Sequence, residues 1–331
     1  MKKKYQVVGI GNALVDILSH VKDEFLTDNG VEKGIMQLID MDRAVELYSH
    51  MGPAKEISGG SAANTIAGIA ALGGKTAYVG KVRADQLGNI FAHDMRAQGA
   101  TFETPFAATD HAHETGRCMV LVTPDGERSL NTYLGVSEFL GPEDIDPKMM
   151  AEAEWLYLEG YRFDGPDSKA AFAKANEACR KAGGRISLTL SDPFCVERHR
   201  EDFLAMISEH IDLLFCNEHE MAAMYPAEDI HASIALAGQE IDIVVCTASE
   251  KGAFVLSDGV MEHAHAVPTQ IVDATGAGDL FAAGFLNGLT QGYDMLTCAR
   301  MGNVAAAEVI SHIGARPEAD LMDLFRDHGL V

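Results

Sequence analysis

Along most of the chain, short unbroken apolar runs alternate with longer amphipathic or alanine-rich stretches. Strands are expected over 7–10, 76–80, 155–158, 185–190, 213–216 and 243–246. Helices are expected over 61–72, 89–98, 168–182, 277–289 and 301–311. A strand that is apolar at every position is buried on both faces, and strands alternating with helices of this length indicate βαβ units. The expected class is therefore α/β, with a mostly parallel sheet covered by helices on both sides.

Two stretches break this rhythm. Residues 14–39 show little helical period. Residues 114–133 read as a hairpin, with strands over 117–122 and 128–133 around Pro124-Asp125-Gly126. Asp-Gly between β-branched runs is a strong hairpin signal. No linker, repeat or low-complexity tract divides the chain. The expected organisation is an α/β core from 1–11, 40–113 and 137–331, carrying an inserted small antiparallel β lid from 12–39 and 114–136.

Composition narrows the function. The 331 residues carry 26 Lys+Arg against 49 Asp+Glu, a net charge of −23. Such a chain is a poor partner for nucleic acid or an anionic membrane, which both select clustered Lys and Arg. A small anion remains within reach, held by backbone N–H groups. The six cysteines are scattered, with no C-x-x-C pair and no zinc spacing, as expected of reduced thiols in the cytoplasm. Asn12 and Asp16 interrupt the apolar run after the opening lysines, so no signal peptide is expected, and no apolar stretch is long enough for a membrane span.

Three segments carry candidate chemistry. In Asp273-Ala274-Thr275-Gly276-Ala277-Gly278-Asp279 a small-residue turn runs into an apolar helix. The first N–H groups of a helix are unpaired, and its dipole places about half a positive charge there. Such a turn suits a transferring phosphoryl group, with Asp279 placed to take a proton from an attacking hydroxyl. Spacing alone leaves open that Asp279 merely caps the helix. In Gly59-Gly60-Ser61-Ala62-Ala63-Asn64 a second glycine turn opens a helix. Gly60, Ser61 and Asn64 could meet ligand hydroxyls, or Ser61 could be a plain N-cap. After the first strand, Gly9-Ile10-Gly11-Asn12-Ala13-Leu14 lacks the third small residue and the helix of a dinucleotide fingerprint. Asn12 and Asp16 at that strand's mouth are instead suited to gripping a diol. Walker, protein-kinase and serine-hydrolase motifs are absent.

In this order the motifs resemble the ribokinase-like (PfkB-type) family of carbohydrate and nucleoside kinases, whose core is a three-layer α/β/α sandwich with a small β lid. The resemblance spans nearly the whole chain. It implies Asp279 as catalytic base and the N–H groups of Gly276, Ala277 and Gly278 as an anion hole. Asn217 and Glu220, in Asn217-Glu218-His219-Glu220, match the family's N-x-x-E motif, with Glu220 reaching Mg²⁺ through water. Asn12, Asp16, Gly60, Ser61 and Asn64 match acceptor-binding positions. Thr247, Gly252 and Asn303 fall where the family contacts the nucleotide, although Cys246 and Ser249 depart from its pattern. The implied cofactors are ATP and Mg²⁺, with K⁺ beside the anion hole through Asp273 and the loop at His312-Ile313-Gly314-Ala315.

Within the family the chain is most similar to adenosine kinases and their bacterial relatives. Gln37 falls where they place a pocket glutamine. Arg128 lies in a lid segment and is a candidate to reach phosphate, or an edge-strand charge. Tyr161 matches an aromatic that stacks on the purine, or is a half-buried surface ring. The resemblance thus implies phosphoryl transfer to a primary hydroxyl of a ribonucleoside by a monomer or homodimer. The alternatives are a sugar kinase with a ribose- or fructose-like acceptor, and a catalytically silent sensor on the same fold.

Overall fold

A computed structural model describes residues 3–331; Met1 and Lys2, at the head of the first core segment, lie outside the described residues. The strands are β1 Tyr5–Ile10, β2 Leu14–His20, β3 Met36–Leu38, β4 Lys55–Gly59, β5 Thr76–Val79, β6 Thr101–Phe102, β7 Thr115–Val122, β8 Arg128–Gly135, β9 Ala153–Glu159, β10 Arg185–Thr189, β11 Leu213–Asn217, β12 Ile243–Thr247, β13 Ala253–Ser257 and β14 Val260–Ala264.

Nine of them form one sheet in the order β14-β13-β12-β11-β10-β9-β1-β5-β6. Every ladder from β12 to β6 is parallel, and β13 and β14 add an antiparallel edge. The central strands carry unbroken apolar runs, such as Trp155–Leu158, because alternate residues enter different layers. Val7, Trp155 and Tyr157 pack on one face, and Val8, Ile10, Leu156 and Leu158 on the other. On the first face lie the helices Ser61–Ala71, Ala277–Gln291 and Met295–Val309. They are rich in small residues because their backbones nearly touch. A Cβ on Gly68 would lie 2.7 Å from that of Ala283, and one on Gly284 would lie 2.6 Å from the Met301 carbonyl oxygen. This close packing aligns the starts of two helices, where the site forms.

Two helices begin earlier than the apolar period suggests. Gln86–Ala97 starts at the N-cap Asp85, whose carboxylate accepts from the Gly88 N–H at 2.8 Å. Met295–Val309 starts at Asp294, which accepts from the Thr297 N–H at 2.9 Å. The cap, rather than the first apolar residue, sets each start.

The remaining five strands form the lid, in the order β3-β8-β7-β2-β4. The expected β7–β8 hairpin is present, and it is antiparallel, as is β2–β4. The β2–β7 and β3–β8 ladders run parallel. The boundary drawn at residue 40 needs correction. β4 pairs with β2, and the helix Met41–His50 packs Ala44 and Leu47 against Ile17, Met119 and Leu121 of the lid. β4 escaped the sequence reading because an edge strand reading Lys55-Glu56-Ile57-Ser58-Gly59 has no apolar alternation.

Candidate active site

The helix Ala277–Gln291 follows Gly276 at φ 74°, and the helix Ser61–Ala71 follows Gly60 at φ 96°. Their first turns face each other. The Asp279 carboxylate accepts from Ser61 Oγ at 2.6 Å and from Asn64 Nδ2 at 2.8 Å. Neither Asp279 nor Ser61 is therefore a cap; each side chain is used across the gap between two helices. Crowding by protein raises the Asp279 pKa, and the bonds from Ser61 and Asn64, with Arg316 nearby, only partly offset that. Beside it Gly278 is exposed, and a Cβ there would meet nothing within 4 Å. The Ala277 N–H reaches back to the Ala274 carbonyl at 3.4 Å, a weak bond at best.

Two clefts meet at this pair. One lies under the lid. Its polar end holds Asn12, Asp16, Gly60, Ser61, Asn64, Glu159 and Tyr161, and its apolar wall Leu14, Met36, Leu38, Cys118, Leu130 and Leu134. Most of that wall follows strand periodicity: Leu130, Thr132 and Leu134 of β8 face the cleft, with Met36 and Leu38 of β3 alongside them. Gln37 therefore points to the opposite face, where its amide donates to Asn131 Oδ1 at 2.6 Å. It does not line the cleft, which corrects the expectation for that residue: one position along a strand reverses the side chain.

Several polar groups face this cleft without a protein partner. Among the described residues the Asp16 carboxylate accepts no hydrogen bond, and burial pushes its pKa up to about 6 against the pull of Arg316 and Arg128. Asn64 Oδ1 is buried and unpaired. Asn12 is buried with its Oδ1 taken by Arg162 Nη1 at 3.0 Å and Ser137 Oγ at 3.3 Å, which leaves its Nδ2 for a ligand. An unpaired carboxylate beside an unpaired amide oxygen and an amide donor is a receptor for hydroxyl groups.

The second cleft is lined by residues that include Thr189, Asn217, Glu220, Thr247, Ser249, Gly276, Ala277, Gly278, Asp279 and Asn303. Ser61 and Tyr161 line both clefts, so Asp279 stands at their junction. Asn217 and Glu220 form a reciprocal capping box. The Glu220 N–H donates to Asn217 Oδ1 at 2.9 Å, and Glu220 accepts from the Asn217 N–H at 3.0 Å and from its Nδ2 at 2.7 Å. Burial pushes Glu220 up to about 7, and the Asp192 and Asp279 charges add to that. Glu220 and Asp279 are the two acids that line this cleft, and a divalent cation bound there would favour their ionised forms.

The other expected nucleotide contacts separate. Thr247 lines the cleft and donates to the Cys216 carbonyl at 3.3 Å. Asn303 lines it too, with its Nδ2 bonded to the carbonyls of Ala264 and His265 at 3.0 and 2.9 Å. Gly252 does not line it. At φ 99° it turns the chain so closely past Ala264 that a Cβ would lie 2.1 Å from the carbonyl oxygen, so its role is structural.

Arg128 reaches neither cleft. It is buried, with Nη1 at 2.7 Å from Asp273 Oδ1. The fully buried Asp273 carboxylate also accepts from the N–H groups of Thr275 at 2.9 Å and Gly314 at 2.8 Å. With the Arg128 guanidinium already at its Oδ1, Asp273 does not fit the K⁺ that the resemblance implies.

Three charged residues at the site carried no recognised signal. Glu159 accepts from the Asn12 N–H at 3.1 Å and the Ala62 N–H at 2.9 Å, and burial pushes it up to about 7. Its place at the carboxyl end of a core strand, where open α/β sheets bind ligands, could have marked it. Arg316 donates to the Ala63 and Ser58 carbonyls at 2.6 and 3.0 Å, and burial lowers it to about 10. Arg162 is almost fully buried and donates to Asn12 Oδ1, Ser168 Oγ and the carbonyls of Ser137 and Leu140. Arg162→Met is expected to destabilise the protein by about 3 kcal/mol or more in urea unfolding, since it strands those acceptors and leaves Glu159 uncompensated.

A carboxylate in the first turn of a helix, where two clefts meet, suits group transfer to a hydroxyl. Residues 34–321 match the family described as pfkB family carbohydrate kinase. The structure superposes on a probable sugar kinase from Rhizobium etli CFN 42 with a TM-score of 0.94 and 44% identity, covering 99% of this chain and 100% of that one. It superposes on adenosine kinase from Sinorhizobium meliloti with a TM-score of 0.92 and 46% identity, covering 98% and 99%. Adenosine kinase of Saccharomyces cerevisiae is 27% identical over 93% of this chain and 95% of its own length. The chain belongs to the pfkB family of carbohydrate kinases. Its activity is that of a phosphotransferase with an alcohol group as acceptor. Among the described residues no helix is long and apolar enough to cross a membrane.

Proposed function

We propose that this chain transfers the γ-phosphoryl of ATP to a primary hydroxyl of a ribonucleoside, adenosine-like, bound under the lid. The observation that carries this reading is the position of Asp279, hydrogen-bonded to Ser61 and Asn64 where the two clefts meet. The unpaired Asp16 carboxylate and the Asn12 and Asn64 amides suit a ribose diol. The apolar wall of Leu14, Met36, Leu38, Leu130 and Leu134 suits a flat heterocycle better than an acceptor bearing hydroxyls on every side. That wall favours a nucleoside over a free sugar, with Tyr161 at the polar end of the same cleft.

Asp279 would accept the proton of the attacking hydroxyl, while the N–H groups of Gly276, Ala277 and Gly278 would face the charge that develops on the transferring group. Asn217 and Glu220 would hold Mg²⁺ through its waters; the ion would offset phosphate charge. The lid would exclude water, a competing nucleophile.

The test is a kinase assay with a panel of nucleosides and free sugars, alongside thermal shifts. Adenosine should raise Tm and act as acceptor, and ribose should do neither; phosphorylation of ribose or fructose alone would overturn the nucleoside assignment. Because the base must be ionised, kcat/KM should fall as pH drops through the raised Asp279 pKa and level off above it. A profile that rises toward acid would oppose this role. Glu220→Gln is expected to raise the Mg²⁺ concentration for half-maximal rate by about ten-fold, read from rates at varied Mg²⁺.

A further inference from the structure

Asp273 lies three residues before Gly276, in the loop that leads to the proposed anion hole, and its side chain is fully buried. A buried carboxylate needs a counter-charge, and two backbone N–H groups supply none. The nearest cation is Arg128, at 2.7 Å from Oδ1. The contact lacks hydrogen-bond geometry: Nη1 is buried and without a hydrogen-bond partner. The guanidinium therefore acts on Asp273 as a point charge, as a bound metal ion would. It comes from the other part of the molecule. Arg128 is the first residue of β8 in the lid, whereas Asp273 belongs to the core. The lid touches the same loop again at the hairpin turn, where a Cβ on Gly126 would lie 3.1 Å from the Val272 carbonyl oxygen.

We propose that the Arg128 guanidinium takes the place of a monovalent cation at Asp273. It neutralises the buried carboxylate and steadies the loop running into Gly276, so phosphoryl transfer is independent of K⁺. Because the charge is carried by the lid, it reaches Asp273 only when the lid is seated. Arg128 is thus a positioning residue, acting through Asp273 on the anion hole.

The test compares KCl with tetramethylammonium chloride at matched ionic strength, reading both initial rate and Tm. The rate arm rests on the kinase reading above; the Tm arm does not. Wild-type rate and Tm should be the same in the two salts within about two-fold and one degree. Arg128→Met should lose roughly 10–100-fold in rate in tetramethylammonium. K⁺ should restore part of that rate and raise the variant's Tm by a few degrees, since it would bind the folded state at the vacated site. Arg128→Lys should keep the charge and the wild-type indifference to K⁺. Activation of the wild type by K⁺ of about five-fold or more, beyond any ionic-strength effect, would overturn the proposal. So would an Arg128→Met protein whose rate and Tm are alike in both salts. If Arg128→Met does not fold, the wild-type series and Arg128→Lys decide. Should no acceptor be phosphorylated at all, the kinase reading fails while the Tm comparison still tests Arg128.

Discussion

Asp279→Asn is expected to fold normally and to lose ~10²–10⁴-fold in kcat, the usual contribution of a general base. The amide fills the same volume between the two helix starts. Its oxygen can still accept from Ser61 Oγ, and its NH₂ can donate to Asn64 Oδ1, which is unpaired in the wild type. What it cannot do is take a proton. Because protein crowding raises the Asp279 pKa, ionising that carboxyl costs the wild-type fold some stability at neutral pH. The variant should therefore be at least as stable as wild type, which separates a chemical loss from a folding loss. KM for the acceptor should change little, since Asp16 and Asn12 remain. The measurement is steady-state kinetics with a melting curve; near-wild-type kcat would remove Asp279 from the chemistry.

Asp16→Asn is expected to damage acceptor recognition rather than phosphoryl transfer. A carboxylate that accepts from two hydroxyls makes two charge-assisted bonds, each ~1.5–3 kcal/mol when removed from a buried setting. Asparagine keeps one accepting oxygen, so loss of one bond and of the charge on the other corresponds to a fall of ~10–10³ in kcat/KM at about tenfold per 1.4 kcal/mol, most of it in KM. The same substitution should stabilise the free protein. The folded carboxyl titrates at about 6, above its ordinary 3.8, so the folded state binds that proton more tightly than the unfolded chain. The carboxylate thus costs stability above pH 6; the cost shrinks as pH falls from 6 to 3.8 and is absent below. Arg316 and Arg128 lose a neighbouring charge in the variant, which limits the gain to ~1–2 kcal/mol. Melting curves at pH 8 and pH 4 check this: the variant should lead at pH 8, and the difference should close at pH 4. Equal KM for the acceptor in the two proteins would dissociate Asp16 from substrate.

Recognition and a gain in free-protein stability at one residue are the same physical fact. An acid held without a partner is poised for a ligand and strained without one. Burial raises Glu220 and Asp279 as well, although each of these keeps hydrogen-bond donors from the protein.

The glycine turns and their following helices were legible because the signals are local. Glycines followed by an apolar helix specify an open helix start wherever the chain carries it. Asn12 and Asp16 were legible as polar residues at the mouth of a buried strand. Gln37 was not, because the phase of β3 is set by its pairing with β8, where Met36 and Leu38 lie beside Leu130 and Thr132. Gly252 was misplaced because a glycine needed for backbone approach looks, in sequence, like one needed for a ligand. Arg128 carried a charge whose partner could not be read; the seated lid set it beside Asp273.

By itself the sequence determined the α/β alternation, the two buried faces of the sheet, the hairpin and an acid one residue beyond a glycine at a helix start. These follow from backbone preference and from burial period, which act over a few residues. Only the tertiary structure decided that Ser61 and Asp279, 218 positions apart, share a hydrogen bond, and that Glu159, Arg162 and Arg316 brace the same pocket. The partner of a buried polar group is whichever donor or charge packing brings within reach, and packing belongs to the whole chain.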